Sequence, residues 1–276
     1  MDNFGSTFKP RTTLLAAVLA AAFVAGCGDG VVSGGDGGGT GGGSGPGPAG
    51  ASPSLGTAGT YGVFASDAAV TLAADSLVEG DVGLNPNAAC NNCVVGVTVT
   101  GEIHNGDAEA IQAQSDFGDA YTDAANRTEN ACTIVDSELS SAQADCNGVT
   151  NGPTYVAGLY RTANPIGIGA TFTITLDAKG NPDAVFIFQT DAAITTGTSS
   201  TVILANGAQA KNVWWMAGTA ATLGVSSDFK GTVIANSEAV SVLGGTVDDR
   251  TLVEGRLFSS AAAVSVEAFA TVTVPQ

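Results

Sequence analysis

The residues best equipped for chemistry are few. Cys90-Asn91-Asn92-Cys93 has the CxxC spacing of redox and zinc sites, where paired thiolates exchange with a disulfide or grip an ion. There is one such pair, and His104 is the sole histidine among 276 residues, so neither chemistry has its partners. Asp248-Asp249-Arg250 offers two carboxylates and a cation in one turn, and Asp228 with Lys230 offers a second pairing. Adjacent strand residues point to opposite faces, so Asp248 and Asp249 do not converge from a strand. A Ser/His/Asp set would rest on His104 alone. These groups read as solvated turns, and the chain is expected to be no enzyme and to need no cofactor or metal.

A different chemistry is written near the N-terminus. Lys9 and Arg11 precede an apolar run from Leu14 to Val24, which closes on Val24-Ala25-Gly26-Cys27. Charged region, apolar region and small-residue cleavage site thus follow in the order of an export signal. The run is well short of the roughly 20 residues that a membrane-spanning helix needs. A Cys directly after the small residues is the thiol acylated in bacterial lipoprotein processing, so residues 1–26 read as a signal peptide and Cys27 as the lipidated mature N-terminus. Gly28 stands where an Asp would favour retention in the inner membrane, which points to the outer membrane or cell surface. Residues 27–54 are dominated by Gly and bury too little to offset the entropy of ordering, so they read as a flexible tether.

Residues 55–276 are long enough for one domain with a substantial core. In an oxidising compartment Cys90, Cys93, Cys132 and Cys146 are expected to form structural disulfides, with three connectivities open. The formal net charge is −17 and only 13% of residues are charged, about half the usual share. Acidity of this size excludes nucleic acid, which selects a basic stripe, and favours solubility by self-repulsion.

Periodicity supplies the elements. Ala110, Ile111, Gln114, Phe117, Ala120, Tyr121 and Ala124 recur at three-to-four spacing and predict an amphipathic helix over 107–126. Elsewhere short runs of Val, Ile, Thr and Phe are separated by Gly, Asn, Asp and Ser, as in many short strands. In the C-terminal half the runs repeat: 185–188, 213–216, 232–235 and 256–259 align, and each is followed by a strand of smaller residues. Repeats at roughly 20 to 30 residues are the mark of a solenoid, whose single turns cannot bury their own faces. If Ile194, Ala221, Val240 and Val264 point inward, Ala193, Ala220, Ala239 and Ala263 form one outward column. Thr195, Thr222, Ser241 and Ser265 form another. Ala69-Val70-Thr71-Leu72 fits the same template, and Pro165-Ile166-Gly167-Ile168 fits it at the inward positions.

Leu55-Gly56-Thr57-Ala58-Gly59, Gly80-Asp81-Val82-Gly83, the helix end 120–125, Gly158-Leu159-Tyr160, 185–189, 207–213 and 231–235 run in order along nearly the whole domain. Together these stretches resemble the microbial ice-binding protein family. The resemblance implies a right-handed parallel β-helix, a β-solenoid of triangular cross-section, discontinuous in chain order, with one long α-helix packed alongside. It also implies an inserted cap around Cys90 to Gly101. Some members carry a Thr-Ala/Gly-x-Thr/Asn motif on their ice face, and Thr219-Ala220-Ala221-Thr222 matches it in full. Ala69, Thr71, Ala193, Thr195, Thr219, Ala220, Thr222, Ala239, Ser241, Ala263 and Ser265 are therefore the expected face for an ice crystal surface. Strands about 4.8 Å apart, with outward residues about 6.7 Å apart along each, give spacings comparable to an ice lattice. A charge holds its own hydration shell, so Glu238 would disturb an ordered water layer if it stood within the face. The alternative on the same fold is a non-catalytic surface adhesin or envelope module, which the membrane anchor and tether suit equally.

Overall fold

The computed structural model describes residues 49–276 apart from 86–87, 94–95, 142–143 and 147–148. The signal peptide, Cys27 and the tether up to residue 48 lie outside the described residues. Strands of three to five residues between polar turns bury little alone, so they stack in parallel register as successive coils. Phe186–Thr190, for example, pairs residue for residue with Val213–Ala217. Each complete coil contributes to three faces. The second face is a 7-stranded sheet running Ile166–Ile168, Ile194–Thr196, Ala221–Leu223, Val240–Val242, Val264–Val266, Val70–Leu72 and Cys90–Asn91. The third face passes into the first within the long strands Asp228–Ala235 and Thr251–Ser259. Their corner lies at Gly231 and Gly255, where a Cβ on Gly255 would meet the Gly231 carbonyl oxygen at 1.9 Å, so only glycine lets the two coils close here.

Stacking order departs from chain order. The C-terminal coil lies directly on the N-terminal one, with Leu257 opposite Val63, Val266 opposite Leu72 and Val272 opposite Val78. This seam joins residues nearly two hundred positions apart. Inside the coils like residues stack: the Tyr160, Phe188 and Trp215 rings lie 5.0 and 4.3 Å apart and near parallel, and Phe229 follows at 5.0 Å. The buried Trp215 indole donates from Nε1 to the Lys230 carbonyl at 2.9 Å, which satisfies its one polar atom.

The first face is buried on both sides. Ile187, Trp214, Ile234, Phe258 and Phe64 alternate outward from it, yet all are covered by the helix Ala108–Asn126. Burial from both sides explains why its strands read as continuous apolar runs. Asp107 caps the helix by accepting from the Ala110 N–H at 2.9 Å. The stripe that meets the sheet is Ala110, Ala113, Phe117, Ala120 and Ala124. This corrects the expected stripe: Ile111 is 57% exposed and Gln114 half-buried, while Ala113 takes the inner position one turn before Phe117. The short helical turn Gly56–Thr60 holds the other flank, with Thr57 donating from its N–H and hydroxyl to Asp116 at 2.6 and 2.7 Å. The buried guanidinium of Arg256 binds that turn from below through the Gly59 carbonyl, at 3.0 and 2.8 Å. No helix among the described residues is long and apolar enough to cross a membrane.

One further expectation changes. The segment Cys90 to Gly101 is no inserted cap: Cys90–Asn91 pairs with Val70–Leu72 and Thr98–Val99 with Leu77–Glu79, so it completes a regular coil. Inward Val99 beside Val78 and Cys90 beside Val70 supply enough apolar area to join the stack. Residues ahead of Leu55 also touch the domain. Arg127 donates to the Ala49 carbonyl and, at 2.7 Å, to that of Ala51, and Trp214 donates to the Ser52 hydroxyl at 3.0 Å.

Candidate functional site

On the second face each strand has a buried–outward–buried pattern, for example in Val70–Leu72, Ala221–Leu223, Val240–Val242 and Val264–Val266. The pleat thus points Thr71, Thr222, Ser241 and Ser265 to solvent, with Thr195 in the same place on its own strand. Cross-strand register aligns them as Thr195–Thr222–Ser241–Ser265–Thr71. Ser265 donates to Ser241 at 3.2 Å, so neighbouring hydroxyls are within hydrogen-bond reach.

The alanine column stands two residues earlier in each coil. The carbonyls of Ala193, Ala220, Ala239, Ala263 and Ala69 each accept from the first strand N–H of the preceding coil in the stack, at 2.9 to 3.2 Å, which locks this column to the same ladder. Every residue assigned to the two columns from the sequence is brought into them. Thr219 stands apart: it occupies the corner before Ala221–Leu223, its N–H on the Ala192 carbonyl at 3.1 Å. Glu238 shares that corner position in the next coil, since Ala221 pairs with Val240, and it lies in an exposed turn outside both columns.

Three features escaped the sequence. Asn91 extends the hydroxyl column beyond Thr71, donating to its Oγ1 at 3.2 Å; the signal was the alternation Cys90 in, Asn91 out. At the far end Gly167 is covered by residues 137–139, since Leu139 donates to its carbonyl at 2.8 Å and Glu138 bridges to it. Glu267 flanks the face opposite to Glu238, its carboxylate accepting from the Gly244 N–H at 3.1 Å. Carboxylates therefore stand at both margins and neither stands in a column.

The third face is different in kind. Lys230 Nζ lies 2.8 Å from Asp228 and 3.4 Å from Glu254, and Thr273 donates to Glu79 at 2.8 Å. The Asp228–Lys230 pair is thus a wall-side ion pair. Arg250 donates to the Asp75 carbonyl at 2.6 Å and lies over the Phe269 ring, which ties the C-terminal coils to the N-terminal one. Of the cysteines, Cys90 is bonded to Cys93, and Cys132 is also disulfide-bonded. The Cys146 side chain and Cys27 lie outside the described residues.

The family model described as ice-binding-like matches residues 64–272. Ice-binding protein 1 of Shewanella frigidimarina is 30% identical over 246 residues, a match covering 79% of this chain and 25% of that protein. The ice-binding protein of Nostoc sp. is 30% identical over 194 residues, covering 70% of this chain and 66% of its own length. The crystal structure of the ice-binding protein from the Antarctic ascomycete Antarctomyces psychrotrophicus superposes with a TM-score of 0.67 at 28% identity, covering 80% of this chain and 98% of that one. Since the family match spans residues 64–272, and so the solenoid on both sides of its seam, the chain belongs to the ice-binding-like family.

Proposed function

We propose that this protein binds ice through its second face, and that lipidated Cys27 holds it to the cell envelope, at the outer membrane or cell surface. The observation that carries the reading is the pair of outward columns, alanine and threonine/serine, aligned coil by coil and free of charge. Methyl groups order adjacent water and hydroxyls fix it by hydrogen bonds. On a flat sheet with repeats of about 4.8 and 6.7 Å, the held layer matches ice closely enough to merge with it. Affinity then comes from the breadth of the array, not from a pocket. The relatives named above are ice-binding proteins by name, which supports the same reading.

Ala49 to Ser52 lie against the end of the lateral helix on the first face, and these residues leave the second face uncovered. A tethered domain presenting that face would hold ice near the envelope.

The purified protein at micromolar concentration is expected to shape growing ice crystals and to inhibit recrystallisation. Absence of both effects rejects ice binding and moves the adhesin reading forward. For the anchor, Cys27→Ala is expected to shift the protein from the membrane fraction to the soluble fraction of the cell that makes it; unchanged fractionation rejects lipidation at Cys27.

A further inference from the structure

We propose that His104, Asp107 and Glu109 form a binding site for one divalent transition-metal ion of the Zn²⁺ class, at the end of the solenoid opposite Gly167. His104 lies in the edge strand Ile103–Asn105, which pairs on one side with Asp81–Leu84. Directly after it the chain turns into the helix, with Asp107 as its cap and Glu109 in its first turn. That reversal folds a His-x-x-Asp-x-Glu segment onto itself, and one ligand atom from each residue lies within 4.8 Å of the others. His104 Nδ1 is 2.9 Å from Asp107 Oδ2. Two ligands on one tetrahedral ion with bonds of about 2.1 Å are separated by about 3.4 Å, so this pair has only to open by about half an ångström to take one. The other Asp107 oxygen, Oδ1, is the one that caps the helix, so capping and ligation use different atoms.

Charge leaves room for a cation. Glu102 also approaches the imidazole, with Oε2 4.0 Å from Nε2, and among the described residues no Lys or Arg forms an ion pair with Asp81, Glu102, Asp107 or Glu109. An independent observation points the same way. Tyr61 is only 2% exposed and its hydroxyl has no hydrogen-bond partner, although a buried tyrosine hydroxyl ordinarily finds one. Its ring lies 5.4 Å from the His104 ring. That ring contact sets the orphan phenol beside this cluster. A donor in that place suits the outer shell of a metal site, where it orients ligating carboxylates. An imidazole nitrogen among carboxylate oxygens selects Zn²⁺ or its transition-metal neighbours over Ca²⁺ and Mg²⁺, which favour oxygen alone. Bound there, the ion would tie the last strand of the stack to the start of the lateral helix.

The test uses the full chain without a histidine tag, freed of metal by chelation and titrated with Zn²⁺ alone by calorimetry, with thermal unfolding in parallel. Expected are one ion per chain with micromolar affinity, much weaker Ca²⁺ binding, and a higher Tm with Zn²⁺ present. His104→Gln and Glu109→Gln should each weaken binding by about tenfold or more. Tyr61→Phe separates site from scaffold. It removes an unsatisfied hydroxyl, so the metal-free Tm should hold or rise, while Zn²⁺ affinity falls about tenfold. No saturable Zn²⁺ binding at millimolar concentration, equal affinity for Ca²⁺, or unchanged affinity in His104→Gln or Tyr61→Phe overturns the site.

Discussion

Thr222→Tyr is expected to remove most ice activity while leaving the circular dichroism spectrum and Tm of the protein unchanged. Thr222 sits mid-column between Thr195 and Ser241, on a strand whose inward residues Ala221 and Leu223 are fully buried. Its side chain points to solvent, so a larger ring meets no core atom and the fold has no reason to change. The ring would instead stand proud of its small neighbours and hold a crystal surface away from several coils at once. Because the proposed affinity is summed over the whole array, the loss should far exceed one residue's share. We expect at least about tenfold more protein to be needed for equal recrystallisation inhibition, which corresponds to about 1.4 kcal/mol or more. Ile203→Tyr, at an exposed position of the third face, is the matched control and should leave activity intact. Full activity in Thr222→Tyr, or equal losses in both variants, would reject the second face as the binding surface.

The second large effect concerns stability. Phe117→Ala should lower stability by about 3–5 kcal/mol, equivalent to a Tm drop of about 10 °C for a domain of this size. Phe64 and Phe258 are direct cross-strand partners at the seam between the N- and C-terminal coils. The Phe117 ring lies 5.2 Å from the first and 5.0 Å from the second, so one helical side chain covers both. Its truncation opens a cavity over the junction that no local sequence contact supports. The same junction aligns Ser265 with Thr71 on the second face, so the seam underlies the continuity of the proposed array. Ile111→Ala on the same helix removes a side chain that is 57% exposed and should cost far less. A Tm change in Phe117→Ala no larger than that of Ile111→Ala would show that the helix does not secure the seam.

The helix was legible almost to the residue, expected over 107–126 and found at Ala108–Asn126, because capping and a 3.6-residue period are local properties. Which of its residues faced the sheet was less so. Ile111 is the larger hydrophobe, yet Ala113 is buried, since the fit against Trp214 and its neighbours is set by the partner surface and not by the helix alone. The two outward columns were legible for a similar reason as the helix. A strand alternates with period two, so once Ile194, Val240 and Val264 are inward, Thr195, Ser241 and Ser265 must be outward.

What the sequence by itself determined was therefore local: the alternation of inward and outward residues along each strand and the span of the helix. The tertiary structure decided which strands are neighbours. It placed the C-terminal coil on the N-terminal one, added Asn91 to the column, covered Gly167, and left Glu238 and Glu267 at the margins. The reason is physical. Pleat and helical period are imposed by each residue's own backbone, whereas the order of coils is chosen by the joint burial of whole faces, and residues as distant as Phe64 and Phe258 meet only when every coil between them has found its place.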